Sequence, residues 1–227
     1  MPFHELIETD LIPTSGGDLK ITFLGHGSLY FTFQNQYIYI DPYSKVADYT
    51  KLPKADLILI THEHSDHLDL AAIASIRDQK TTVVLSEACA ARLTGGIVMH
   101  NGDERPVNGI PIQAVPAYNI VHTREDGMPF HPKGVGNGYV LTFGDRRVYV
   151  AGDTENIPEM KKLHDIAIAF LPMNLPYTMT PEMVADAARS FHPHVLYPYH
   201  YGSTVTAHLK ELLGVDTKIE VRIRRLA

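Results

Sequence analysis

The stretch Thr61-His-Glu-His-Ser-Asp-His-Leu68 places His62, His64, Asp66 and His67 within six residues, enough ligands for two metal ions in one short loop. Imidazole and carboxylate are donors for zinc, iron or manganese, and no thiolate of the kind that closes a structural zinc site is nearby. Just upstream, Ala55-Asp-Leu-Ile-Leu-Ile60 reads as a short buried strand, so the motif starts where extended chain ends. His62 and His64, two residues apart, can then point the same way, while Asp66 and His67 follow the turn and can face a second ion. Glu63, between the two histidines, should point away from them. A histidine-rich surface loop is the plain alternative, and ligand types clustered this tightly weigh against it.

The elements that would carry such a loop are legible from pattern. Lys20–Leu24, Leu29–Phe33 and Tyr37–Ile40 are β-rich runs separated by Gly and by Asn/Gln, which predicts antiparallel strands. Leu68, Ala71, Ala72 and Ile76 fall at helical spacing after the motif, Thr81–Leu85 is a further strand, and Glu87–Leu93 a short helix stopped by Gly95-Gly96. The second half repeats this style. Strands are expected at Gly109–Val115, Gly138–Phe143, Arg147–Ala151, Ile166–Leu171 and Val195–Tyr197, with an edge strand at Lys218–Arg224. Helices are expected from Asn156, as a cap, through Met160, and over Pro181–Phe191. Strands lead and helices follow in each half, which predicts an α/β fold of two αβ layers packed sheet to sheet. The connection from Pro116 to Gly136 is long, polar and aromatic, as functional loops inside a compact domain tend to be.

Composition narrows the function classes. The chain has 227 residues, 44% hydrophobic and 20% charged, with a formal net charge of -6. That balance belongs to an ordinary globular protein and disfavours general binding of nucleic acid, which needs concentrated Lys and Arg. No linker, charge block or low-complexity tract divides residues 1–227, so one domain is expected. The single cysteine, Cys89, excludes an intrachain disulfide framework and reads as a buried helical position. Residues 1–10 hold Glu5, Glu8 and Asp10 and no basic segment followed by an apolar run, and no stretch has the apolar length of a membrane span. A cytoplasmic enzyme without membrane insertion is the expectation.

His62-Glu-His-Ser-Asp-His67, followed by Ala151-Gly-Asp-Thr154 and then Pro198-Tyr-His-Tyr-Gly202, resembles the metallo-β-lactamase-fold hydrolases in order, residue type and spacing, with Gly25-His-Gly27 and Ile40-Asp41-Pro42 belonging to the same pattern. The resemblance is to the small single-domain branch of metal-dependent hydrolases, and it implies a four-layer αβ/βα sandwich. It also implies a ligand set: His62 and His64 on a first metal, Asp66, His67 and His200 on a second, and Asp153 bridging both. The first metal wants a further histidine from the long loop. His131, directly before Gly136–Val140 and stiffened by Pro132, is preferred over His122. Asn119 stands where the phospholipase branch of the superfamily has a histidine. Asp41 resembles the aspartate that orients the ligand loops.

The implied chemistry is hydrolysis by a water held between two divalent ions, zinc foremost with manganese or iron as alternatives, and acidified toward neutrality. Asp66 and Asp153 would be the catalytic carboxylates, Asp66 both ligating metal and orienting the nucleophile. The expected substrate is a small molecule with an ester-type bond, a phosphodiester, lactone or relative. Lys133 is a candidate for binding a substrate anion, and His26, Tyr118, Tyr177 and Tyr199 are candidates for protonating the leaving group. Two other classes stay open: a non-catalytic metal-binding sensor or scaffold, and a di-iron redox protein. The second is disfavoured because His64 stands where those relatives have glutamate.

Overall fold

Alternating burial builds the first sheet. In the computed structural model, which describes residues 7–214 and 218–227, β1 (Glu8–Thr14), β2 (Gly17–Gly25), β3 (Ser28–Phe33) and β4 (Gln36–Ile40) form an antiparallel meander. Leu19, Ile21 and Phe23 of β2 and Leu29, Phe31 and Phe33 of β3 are buried on one face. Gln34 and Asn35, at φ 48° and 62°, make the tight turn between β3 and β4, left-handed at both central positions as a twisted hairpin prefers. From β4 the sheet turns parallel through β5 (Leu57–Leu59), β6 (Thr82–Leu85) and β7 (Ile97–Val98).

The second half has the same plan. β8 (Glu104–Val107), β9 (Ile110–Ala117), β10 (Gly136–Phe143) and β11 (Arg146–Val150) are antiparallel, and β12 (Ile166–Pro172), β13 (Val195–Tyr199) and β14 (Glu220–Val221) continue in parallel, giving two seven-stranded sheets. The sheets pack face to face over Ile21, Phe31, Leu57, Leu141 and Phe170, with the Phe31 and Phe143 rings 5.4 Å apart across the interface. Outside the first sheet lie α1 (Leu70–Ile76) and α2 (Glu87–Ala90), over a core that includes Ile58, Ile73 and Cys89. Outside the second lie α3 (Pro181–Phe191) and α4 (Thr206–Leu213), which bury Val184, Ala188 and Leu209. The expected four layers are present.

Several local expectations need correction. Asn156 does not cap a helix: Ile157 precedes a 3-10 turn, Pro158–Lys162, with no side-chain cap, while Asn156 donates to Asp186 at 2.6 Å. The strand expected at Lys218–Arg224 shrinks to β14, at the edge as anticipated. β1 and α4 were not anticipated. Residues 1–6 lie outside the described part, and with them most of the segment read for a leader. Among the described residues no helix is long and apolar enough to cross a membrane.

Candidate metal centre

The parallel strands all end at one rim of the sandwich, where ligands gather in folds of this kind. Just beyond the strand ends come Asp41 after β4, Thr61 and His62 after β5, Gly152 and Asp153 after β11, Asn174 after β12 and His200 after β13. The β2–β3 turn brings His26 to the same rim, its carbonyl accepting from the His200 amide at 3.1 Å. Two glycines make this convergence possible. Gly152 has φ +67°, and a Cβ there would lie 2.9 Å from the Asn137 carbonyl; a Cβ on Gly27 would lie 3.0 Å from His67.

Three overlapping groups of potential ligands result: His62, His64 and His131; His62, His67 and Asp153; and His26, Asp66, His67 and His200, with the donor atoms of each within 4.8 Å of one another. Asp153 is central. Its carboxylate lies 3.3 Å from His131 Nε2, 3.5 Å from His67 Nε2, 3.6 Å from His200 Nε2 and 3.9 Å from His62 Nε2. Asp66 Oδ2 is 3.5 Å from His200 Nε2 and 2.9 Å from His26 Nε2. The Nε2 atoms of His62, His67, His131 and His200, together with Asp153 Oδ1, are buried and without a hydrogen-bond partner. Buried polar atoms are almost always satisfied, so five gathered around the Asp153 carboxylate fit cations better than any internal arrangement.

The opposite ring edges explain why those nitrogens face inward. Asp41, fully buried, accepts from the Thr61 amide at 2.8 Å, the Thr61 hydroxyl at 2.6 Å and His67 Nδ1 at 2.8 Å. Because the Thr61 hydroxyl hydrogen goes to Asp41, that oxygen is the acceptor for His62 Nδ1 at 3.0 Å. His131 Nδ1 donates to Asn119 Oδ1 at 2.6 Å. In the neutral rings of His62, His67 and His131, Nδ1 therefore keeps the proton and the Nε2 lone pair is directed at the site, the tautomer that metal ligation requires.

Electrostatics agree with a site built for positive charge. Burial pushes His62 well below its ordinary pKa, helped by repulsion from His67. Burial also opposes charge on His67, yet Asp153 and Asp41 outweigh it and lift the imidazole to about 9. Burial would raise Asp153 and Asp66, but surrounding imidazoles hold both carboxylates low, His200 and His67 for Asp153 and His200 and His26 for Asp66.

Of the two loop histidines the structure brings His131 to the cluster. His122 Nδ1 instead donates to Glu155 Oε1 at 2.6 Å. Asn119 Oδ1 accepts from both the amide and the ring of His131, and so aims that imidazole at the cluster. Glu155 escaped sequence reading although it directly follows Gly-Asp-Thr. Nearly fully buried, it accepts the amides of Ile120, Val121 and His122 and the Asn119 side chain, and so shapes the loop that holds His131.

Other candidates fall away. Lys133 is engaged by Glu159 Oε1 at 2.8 Å rather than free for a substrate anion, and the Tyr118 hydroxyl donates to Glu159 Oε2. Tyr199 sits in the inter-sheet core. Tyr177 is exposed at the rim, whereas His26 stays with the cluster, its ring tilted against His200 with centroids 3.7 Å apart. Cys89 is buried as expected, its thiol pushed up to about 11 by desolvation.

A family model described as a beta-lactamase superfamily domain matches residues 20–200. A Methanopyrus kandleri protein named as a UPF0173 metal-dependent hydrolase is 32% identical over 82% of this chain and 85% of its own. The crystal structure of a proposed metal-dependent hydrolase from Parabacteroides distasonis is 51% identical, covers 97% of this chain and 100% of that one, and superposes with a TM-score of 0.93. Igni18, a metallo hydrolase from Ignicoccus hospitalis, is 26% identical with a TM-score of 0.76, covering 92% of this chain and 96% of its own. The chain belongs to the beta-lactamase superfamily and, within it, to the UPF0173 metal-dependent hydrolases.

Proposed function

We propose that this hydrolase cleaves an ester-type bond, a phosphodiester, lactone or relative, in a small substrate, using two divalent ions, zinc foremost. His62, His64 and His131 would hold one ion, Asp66, His67 and His200 the other, and Asp153 would bridge them. The single observation that carries this reading is the set of five buried, unpartnered donor atoms gathered at the Asp153 carboxylate. Such ions supply acidified water and polarise a substrate oxygen.

The chain's own residues do the rest. Asp41 and Thr61 hold His67 and His62 in register, and Asn119 does the same for His131. Asp66, half-buried and already accepting from His26, is placed to orient the attacking water by accepting a hydrogen bond from it. His26 is the one proton-donor candidate that touches the cluster, through Asp66. Ligand candidates come from both halves of the chain, which supports treating residues 1–227 as one functional domain.

The test is elemental analysis of protein purified without added metal, with a panel of phosphodiester, lactone and thioester substrates. Two metal equivalents, and hydrolysis abolished by Asp153→Ala, are expected. Protein that stays metal-free after reconstitution, or activity untouched by His64→Ala, would refute the proposal.

A further inference from the structure

Strongly exposed large apolar side chains number eight among the described residues, and five of them, Ile120, Val121, Met128, Leu175 and Tyr177, stand on two loops at the metal rim. The loops are joined. The Asn119 side chain donates to the Tyr177 carbonyl at 2.9 Å, and the Phe130 and Tyr177 rings meet edge to face with centroids 5.0 Å apart. Phe130 walls two spaces at once: the cavity that holds His62, His64, His131 and Asp153, and an open groove of about 660 Å³ that runs past Tyr177.

This apolar rim is held outward by its frame. The Ile120 and Val121 amides are committed to Glu155 Oε2 at 2.7 and 2.6 Å, which leaves their side chains 52% and 62% exposed. Arg124 donates to the Phe130 carbonyl at 3.2 Å and lies 5.3 Å from its ring centre, fixing the shared wall. Phe130, Pro176 and Tyr177 line the groove itself, and exposed apolar surface beside a cavity is of the kind that marks a binding region.

Resting on the hydrolytic reading above, we infer that the Phe130–Tyr177 corner and its apolar rim seat an aliphatic or aromatic part of the substrate, so that the favoured substrates carry a medium-length apolar group beside the scissile bond. Continuity with the metal cavity through one side chain favours a substrate group as the occupant. Arg124, Glu125 and Asp126 also line the groove, which confines its apolar part to Phe130, Pro176 and Tyr177, and the two carboxylates oppose an anionic membrane surface.

Metal-loaded full-length protein would be assayed on p-nitrophenyl esters from acetate to octanoate. Burying each methylene favours the longer ester, so kcat/KM is expected to climb about two- to fourfold per methylene. Tyr177→Ala should cut the octanoate-to-acetate ratio at least tenfold, and Val121→Ser should lower it less; both side chains are exposed enough to be replaced without unfolding. Hydrolysis with a flat ratio overturns the inference and leaves the hydrolase reading intact. Calorimetric binding of acetate through octanoate needs no turnover. Affinity that rises with chain length and is lost in Tyr177→Ala would uphold the apolar seat even if no ester were cleaved, whereas flat binding would overturn it. A Tyr177→Ala protein that keeps its ratio but loses self-association or adsorption to phosphatidylcholine vesicles would also overturn it.

Discussion

Replacing Asp41 with asparagine should weaken one metal position more than the other, because of where its two oxygens point. Asp41 Oδ1 accepts from the Thr61 amide and can keep doing so as the asparagine carbonyl oxygen. Oδ2 receives both the Thr61 hydroxyl and His67 Nδ1. An amide nitrogen there faces two donors. The cheapest repair moves the His67 proton from Nδ1 to Nε2, so that Nδ1 accepts from the new amide, and that proton then occupies the lone pair that would ligate metal. Loss of such an orienting partner costs about 10- to 100-fold in metal affinity, equivalent to about 1.4–2.7 kcal/mol. His62 is touched only through the Thr61 oxygen, so the first position should lose less. Competition titration with a metal chelator, resolving the two binding steps, checks this. Equal losses at both positions, or none, would refute the tautomer argument; urea denaturation of the metal-free variant would reveal a general folding defect.

The remaining expectations concern loop geometry, backbone room and the strand that tethers the C-terminal segment. His131→Ala should remove binding at the first metal position while His122→Ala leaves metal stoichiometry at the wild-type value, as read by elemental analysis; the reverse pattern would show that the solution loop differs. Gly152→Ala should cost about 3 kcal/mol, combining left-handed backbone strain with the close approach to the Asn137 carbonyl, and should lower the thermal midpoint. An unchanged midpoint would contradict the packing. Asp10, on β1, is desolvated, which would raise its pKa, but Tyr197 and Arg224 prevail and hold the carboxyl below its ordinary value. Its contribution is therefore full above the unfolded carboxylate pKa of about 4 and fades as pH falls through the lower folded value. Asp10→Asn should cost about 1 kcal/mol at pH 7, allowing for solvent screening, with the gap to wild type closing in denaturation curves below about pH 4.

How far the site was legible follows from which signals are local. His62, His64, Asp66 and His67 lie together in the chain, and Asp153 and His200 each follow a β-rich run, so their order and setting are visible in one dimension. The preference for His131 over His122 rests on its place before Gly136–Val140 and on Pro132, whereas the residue that aims it in the structure, Asn119, meets it across twelve positions. Glu155 was hidden for the same reason: its hydrogen bonds run to residues 33 to 36 positions earlier. Among the elements, α4 carries Leu209, Leu212 and Leu213 on a helix too short for a strong periodic signal, and β1 owes its place to pairing with β2 rather than to a hydrophobic run.

The backbone at the site adds a feature that no local pattern announces. His26, Asp41 and His200 have φ of 54°, 45° and 46°, a left-handed region that costs a residue with a Cβ about 1–2 kcal/mol. All three belong to the metal rim, and each is held from outside itself. The Asp41 amide donates to the Leu59 carbonyl at 3.0 Å, its carbonyl accepts from Ser28 Oγ at 2.5 Å, and the His26 carbonyl takes the His200 amide. A glycine at any of them would relieve the backbone but remove the side chain that makes the position useful. Five other non-glycine residues share this backbone region away from the rim, but only these three stand beside unpartnered imidazole nitrogens, where strain is consistent with a function that repays it. Were divalent cations held there, as proposed, the stability of this rim would depend on its loading, and hydrogen exchange at His26, Asp41 and His200 would be faster in metal-free protein than in loaded protein; equal protection in the two states would refute the link.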